Sequence, residues 1–123
     1  MKYEQLKLFS HDEIQKAIFD GEVQKLYMIP LSVGEYSNDS EYAQDICLML
    51  LGHKNSKVRA NAVLGFSYIA RKHQTLDESI IPLLQYEYDN NQTERDRIRE
   101  AIEDISLFLG WGDKFTFAGS GMK

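Results

Sequence analysis

The sequence contains a pattern of polar turns and apolar positions that recurs after 36 residues. When the chain is shifted by that distance, the turn Lys54-Asn55 falls on Asn90-Asn91 and Arg59 falls on Arg95. Five apolar positions also coincide, although the residues differ: Cys47, Leu48, Ala62, Phe66 and Ile69 fall on Leu83, Leu84, Ile98, Ile102 and Ile105. Repeats of this length bury a continuous core only when they stack.

The opposite shift places Ala62 on Leu26 and Ile69 on Val33, so residues 10–36 form a degenerate first copy. Apolar spacing is helical throughout, except at Phe115-Thr116-Phe117, which alternates as a strand does. The sequence therefore predicts an all-α stack of three helical hairpins. We assign residues 1–111 to this single domain and residues 112–123 to a flexible C-terminal tail.

Capping signals give the helix boundaries of the first half. Ser10 and Glu13 form a capping-box pattern at the start of the first helix, and Gly21 ends it. A second helix begins near Glu22, and Pro30 is expected to bend or restart it. Residues 34–42 are rich in Gly, Ser, Asn and Asp, which predicts a loop, and Ser40 is expected to cap the third helix.

The second half contains three further predicted helices. The fourth covers about 57–72, with its main apolar face at Val58, Ala62, Phe66 and Ile69. The fifth covers 77–88 and tolerates Pro82 near its first turn. The sixth begins at Thr93 and ends at Gly110. Within it, ion pairs Glu94–Arg97 and Asp96–Arg99 are expected at i,i+3 spacing on a solvated face.

Composition limits the classes of function. The net charge of −5 over 123 residues argues against direct nucleic-acid binding, which needs a basic surface. An acidic balance suits attraction of a basic protein partner, although solubility alone is the simpler explanation and the one that acidic domains favour in general. A single cysteine fits a reducing compartment. We find neither a signal-peptide pattern nor an apolar run of membrane length. The sequence therefore predicts a soluble cytoplasmic protein that does not enter a membrane.

No arrangement of residues indicates catalysis. The three histidines lie on separate elements without metal-ligand spacing, and Cys47 belongs to an apolar stripe. Adjacent carboxylates such as Glu103-Asp104 point about 100° apart on a helix and cannot act on one substrate. We therefore expect no enzymatic activity, no metal and no cofactor.

Residues 56–66 (SKVRANAVLGF) resemble the second helix of a HEAT-like repeat, in which a turn precedes a Val-Arg pair and an alanine three residues on. Three segments together resemble a group of small bacterial HEAT-like proteins. They are residues 56–66, residues 26–33 (LYMIPLSV) and residues 103–111, which begin with EDI and end with FLGW. That resemblance implies a short HEAT-like α-solenoid. It also implies an immunity protein that neutralises a cognate toxin, including nuclease toxins, of polymorphic or contact-dependent growth-inhibition systems.

Two other classes of function remain. One is a HEAT-like adaptor that binds another protein without inhibiting it, and the other is an enzyme or nucleic-acid binder on the same scaffold. A basic partner would favour the immunity protein and the adaptor over the enzyme or nucleic-acid binder. Toxicity of that partner when it is expressed alone would distinguish the immunity protein from the adaptor.

The resemblance places the second helix of each hairpin on the concave side, where a partner would bind. On the fourth helix, Asn61, Gly65, Tyr68 and Lys72 share one stripe, which we expect to face outward. Close approach of either a partner or a neighbouring helix would explain the glycine at position 65. The 36-residue shift then places Asp104 beside Tyr68. We hypothesise that Asn61, Tyr68 and Asp104 contact the partner, that the loop residues Asp39 and Glu41 steer it, and that Tyr36 borders the same side.

Overall fold

The computed structural model of the chain describes residues 7–117, which form six α-helices and one 3₁₀ turn, with no β-strand among them. The predicted all-α class is therefore confirmed. The helices are α1 (His11–Asp20), α2 (Val23–Tyr36), α3 (Ser40–Leu51), α4 (Ser56–His73), α5 (Ile81–Asn90) and α6 (Arg95–Leu109), and the 3₁₀ turn covers Glu78–Ile80.

Several predicted helix ends are confirmed. Ser10 accepts a hydrogen bond from the Glu13 backbone, while the Glu13 side chain accepts one from the Ser10 backbone, which completes the capping box. Gly21 and Gly110 end α1 and α6 in the left-handed conformation, at φ 68° and 72°. Glycine adopts that conformation without steric penalty.

The loop predicted for residues 34–42 is shorter, because α2 continues to Tyr36 and α3 begins at Ser40. Asp39, rather than Ser40, is the N-cap of α3, and its carboxylate accepts a hydrogen bond from the Tyr42 backbone at 3.0 Å. Pro30 lies inside α2 and does not restart the helix. Proline removes one backbone donor from a helix, and packing of a buried helix outweighs that loss here.

α4 is the central helix of the fold. It packs against α2 on one side and α6 on the other, and α3 also lies against it. Val58, Ala62, Phe66 and Ile69 are completely buried, which confirms the predicted apolar face. Since α2 and α6 do not contact each other, α4 supplies the core that joins them.

Three contacts between these helices join residues that are 36 positions apart, the same distance that aligns the sequence with itself. Arg71 donates to the Glu35 carboxylate at 2.7 Å, the His73 ring lies 3.2 Å from the Ser37 carbonyl oxygen, and Arg97 donates to Asn61. At these three places, residues that are 36 positions apart in the sequence therefore lie side by side.

Gly65 does not face outward as the sequence predicted, because it is buried where α4 crosses α2 and α3. A Cβ atom at Gly65 would lie 2.7 Å from the Pro30 carbonyl oxygen and 2.8 Å from the Cys47 sulfur. Gly34 faces the same crossing, and a Cβ there would lie 2.7 Å from the Gly65 carbonyl oxygen. The two glycines let the backbones of α2 and α4 approach closely.

Replacing Gly65 by alanine is expected to lower the free energy of unfolding by about 1–3 kcal/mol, because the added methyl group meets backbone atoms that cannot rotate away. Urea denaturation measures the change. Gly52→Ala is the matched control, since its nearest atom would be 3.5 Å away and its φ of −91° suits alanine. Equal stability of the two variants would show that the crossing is looser than described.

The segment after α6 is packed where the sequence predicted a flexible tail. Trp111 is buried, and Phe115 and Phe117 pack against the core. The Gln85 side chain donates to the Thr116 carbonyl and accepts from the Thr116 backbone N–H, at 2.7 and 2.9 Å. A β-strand at residues 115–117 would need hydrogen bonds from a neighbouring strand. The Gln85 side chain supplies two such hydrogen bonds to the Thr116 backbone instead. Residues 118–123 of the predicted tail lie outside the described residues.

Candidate functional site

The accessible stripe of α4 lacks Gly65 of the predicted stripe and includes Lys57, Leu64 and Arg71 in addition. Its side chains that are not buried recur at helical spacing on one side. The members of this stripe are Lys57, Asn61, Leu64, Tyr68, Arg71 and Lys72. Beside it, Arg97, Glu100 and Asp104 of α6 line a shallow pocket of about 120 Å³ with Leu64. We call these residues of α4 and α6 the α4–α6 face.

Asn61 holds three helices together. Its side-chain amide donates to the Tyr27 carbonyl of α2 at 2.8 Å, and its amide oxygen accepts from Arg97 of α6. Both polar atoms of Asn61 are therefore engaged inside the protein. This structural role is additional to the partner contact predicted from sequence.

Tyr68 and Asp104 are both accessible on the α4–α6 face. The Arg71 guanidinium lies 5.1 Å from the centre of the Tyr68 ring. Asp104 is exposed and lines the pocket with Leu64, which lies one helical turn before Tyr68 on α4. No hydrogen bond joins Tyr68 to Asp104 in the described chain. Their predicted adjacency therefore stays a prediction.

The three predicted loop residues belong to helix ends. Tyr36 is the last residue of α2 and is 44% exposed, and Asp39 caps α3. Glu41, in the first turn of α3, lines a different pocket with Asp45 and Asp77, which does not include Tyr68 or Asp104. Glu41 therefore belongs to a second surface that the sequence prediction did not identify.

That second surface is a groove between α3 and residues 75–90, which include the 3₁₀ turn and α5. The groove exists because α3 and α5 both pack on α4 without approaching each other. One end is apolar and has a volume of about 640 Å³, with Leu83 and Tyr86 exposed by 45% and 65%. The other end, of about 530 Å³, contains the carboxylates of Glu41, Asp45 and Asp77, and Leu48 lines both ends. We call it the α3–α5 groove.

The two chain segments that form the walls of the α3–α5 groove carry acidic residues but no basic ones, and the basic residues of its lining, Arg59 and His53, lie at the apolar end. Residues 37–52 and 74–94 contain no lysine or arginine. Among residues 7–117, neither Glu41, Asp45 nor Asp77 forms an ion pair. A hydrogen bond from the Ser79 backbone lowers the pKa of the Asp77 carboxyl below its ordinary value.

A partly buried ion pair, in which Glu87 is buried and Arg59 is partly exposed, lines the apolar end. Arg59 of α4 donates to the Glu87 carboxylate of α5 at 2.8 Å and to the carbonyls of His53 and Lys54 at 2.9 and 3.0 Å. Asn91 also donates to Glu87, at 2.7 Å. Glu87 is almost fully buried, so these donors replace the water that its charge requires.

Arg95, which lies 36 residues after Arg59, makes similar contacts to backbone carbonyls. It donates to the carbonyls of Tyr88 and Asp89 near the end of α5, at 3.2 and 3.0 Å. In the same segment, the predicted pair Glu94–Arg97 is present at 2.7 Å, whereas Arg99 binds Glu103 in place of Asp96. The i,i+4 spacing of Arg99 and Glu103 offers the alternative partner.

The described residues include no group of three histidine, cysteine or carboxylate side chains that could hold a metal ion. Within the same residues, no helix combines the length and apolar character that a bilayer crossing requires.

Cys47 is completely buried against the Pro30 carbonyl, and burial raises the pKa of its thiol.

We expect the Cys47 thiol of the folded protein to resist alkylation, because the thiolate is the reactive form and the folded structure excludes both charge and reagent. Labelling with iodoacetamide, followed by mass spectrometry, should be at least a hundredfold slower in buffer than in 6 M guanidinium chloride. Equal rates in the two solutions would contradict the buried position of Cys47.

No family model, curated protein or solved structure matches the chain.

Proposed function

We propose that the chain is an immunity protein that binds a cognate toxin domain and blocks its active site or substrate groove. The observation that carries the proposal is the α4–α6 face, where Leu64 shares a pocket with the carboxylates of Glu100 and Asp104, and the accessible Tyr68 lies one turn further along α4. Aromatic side chains supply much of the affinity of protein interfaces, and charges steer the encounter. The net charge of −5 suits a nuclease toxin, because nucleases present basic grooves to phosphates. The α4–α6 face itself carries four basic residues beside these two carboxylates: Lys57, Arg71, Lys72 and Arg97.

We further propose that the six helices form a short HEAT-like solenoid of three hairpins. Support comes from the contacts between residues 36 positions apart and from the shared role of Arg59 and Arg95 at the two hairpin turns. In such a stack α2, α4 and α6 form one layer, so the α4–α6 face would lie on the concave side. The fold alone does not imply the inhibitory function.

An adaptor that binds another protein without inhibiting it would use the same face. Capture of partners from the source cell, followed by expression of the captured protein alone, separates the two. An immunity protein requires that the captured protein arrests growth, and that co-expression of this chain restores growth. A harmless partner would leave the adaptor as the function.

We expect Tyr68→Ala and Asp104→Lys each to weaken binding of that partner by more than tenfold. Tyr68→Ala keeps the Cβ atom that lies against α2 near Gly34, and Asp104 is exposed, so the melting temperature should change little in either variant. Isothermal titration calorimetry gives the dissociation constant, and circular dichroism gives the melting temperature.

Asp45→Lys is the matched control, since it makes the same charge reversal in the α3–α5 groove. Unchanged binding by both face variants would remove the α4–α6 face from the proposal. Loss of binding by Asp45→Lys alone would place the partner in the groove instead.

A further inference from the structure

The α3–α5 groove is a second recognition surface whose chemistry changes along its length. The apolar end is lined by Leu48, Leu51, Leu83 and Tyr86, and the acidic end by Glu41, Asp45 and Asp77. α3 has 12 residues and forms one wall. At 1.5 Å per residue the wall is roughly 18 Å long, which corresponds to about six residues of extended chain.

The exposed apolar side chains at one end are not isolated. Leu83 and Tyr86 are on α5, and Leu48 and Leu51 face them from α3 across an open space. Adjacent exposed apolar groups that border a groove are typical of a surface that binds another molecule. The acidic end is continuous with this patch through Leu48, which lines both pockets.

Charge decides which molecule fits the other end. The segments 37–52 and 74–94 that form the walls contain no basic residue, so Glu41, Asp45 and Asp77 add to one negative field without compensation from their own elements. Arg59 and His53 lie at the apolar end, where Arg59 is engaged by Glu87. The acidic end is therefore complementary to a cation and repels an anion.

We propose that the α3–α5 groove binds a segment of a partner protein that carries lysine or arginine at one end and apolar side chains at the other. The apolar side chains lie between Leu83, Tyr86 and Leu51, and the cation binds among Glu41, Asp45 and Asp77. A bound segment of this kind covers the exposed apolar area and neutralises the carboxylates together. This recognition does not depend on whether the partner is a toxin.

A second copy of the chain is a poorer occupant. A two-fold dimer places the same patch of each subunit against the other. Each acidic end would then lie either against the other acidic end, where like charges oppose association, or against the apolar end, where its carboxylates lose water without gaining a cation. Nucleic acid is opposed by the same charges.

The proposal is tested by selecting binders from a displayed library of random 12-residue peptides on the full-length protein. We expect the selected peptides to combine lysine or arginine at one end with leucine, phenylalanine or tryptophan at the other. A fluorescent copy of the strongest peptide is then titrated by anisotropy against three variants: Asp45→Lys, Tyr86→Ala and Asp104→Lys.

Asp45→Lys should weaken the peptide by at least tenfold and Tyr86→Ala by at least fivefold, whereas Asp104→Lys on the α4–α6 face should have no effect. Asp45 is chosen because Glu41 lies in the first turn of α3 and Asp77 caps the 3₁₀ turn, so changes at either would also alter stability. A peptide in which glutamate replaces the basic residues should bind Asp45→Lys more tightly than it binds the unaltered protein.

Three outcomes would overturn the proposal. The first is selection of acidic or purely apolar peptides, and the second is an equal effect of Asp45→Lys and Asp104→Lys. The third is a dimer, measured by light scattering, that Tyr86→Ala dissociates, because a second copy would then fill the groove. If Asp104→Lys loses binding to the toxin but still binds the peptide, the α4–α6 face and the α3–α5 groove are separate binding surfaces, and both proposals are supported.

Discussion

Phe66→Ala is expected to lower the free energy of unfolding by about 3–5 kcal/mol, the range measured for truncation of a buried phenylalanine. Phe66 is completely buried on α4, and this helix packs on α2, α3 and α6. The lost side chain therefore leaves a cavity where several elements meet, which local collapse cannot fill. Urea denaturation followed by circular dichroism gives the difference from the midpoint and slope.

Phe19→Ala is the matched control because it removes the same side chain from a position that is 90% exposed. Its effect should stay within about 0.5 kcal/mol, as for ordinary surface changes. A loss below about 1 kcal/mol for Phe66→Ala would contradict the central position of α4 in the core.

Arg59→Ala is expected to destabilise the protein by about 3 kcal/mol. Glu87 would keep Asn91 as a donor but lose the cation that compensates its buried charge. Removal of one partner from a buried ion pair costs roughly 3–5 kcal/mol, and the remaining donor places this pair at the lower end. The carbonyls of His53 and Lys54 also lose their donor, although water can replace it at an exposed turn.

The double variant Arg59→Ala with Glu87→Gln should recover a large part of that loss, because no unpaired charge stays buried. Lys16→Ala, which breaks the exposed pair with Asp20, should change stability by less than about 1 kcal/mol. If Arg59→Ala and Lys16→Ala have equal effects, the Arg59–Glu87 pair is not the buried tie between α4 and α5 described above.

Local chemistry made much of the fold predictable. The capping box at Ser10 and the glycine ends at Gly21 and Gly110 depend on residues within one turn, and the sequence identified all three. The fully buried positions of α4 followed from helical spacing. Asp39 was missed as the α3 cap because Ser40 is an equally good capping residue, and only the backbone conformation distinguishes them.

Interactions between distant segments were harder to predict. The period that placed Asn61 and Tyr68 on the accessible side of α4 assigned Gly65 to the same stripe, whereas the close crossing with Pro30 buries it. The absence of lysine and arginine from residues 37–52 and 74–94 can be read in the sequence. That these two segments form opposite walls of one groove depends on how α3 and α5 pack on α4.

The lysine-free walls also affect how the protein is handled on a sensor surface. Amine-reactive coupling attaches a protein through its lysine side chains and its amino terminus. The lysines of the described helices are on α1, α2 and α4, namely Lys16, Lys25, Lys57 and Lys72, and none is on α3 or α5. Random amine coupling therefore leaves the walls of the α3–α5 groove unmodified, whereas it reaches the α4–α6 face through Lys57 and Lys72.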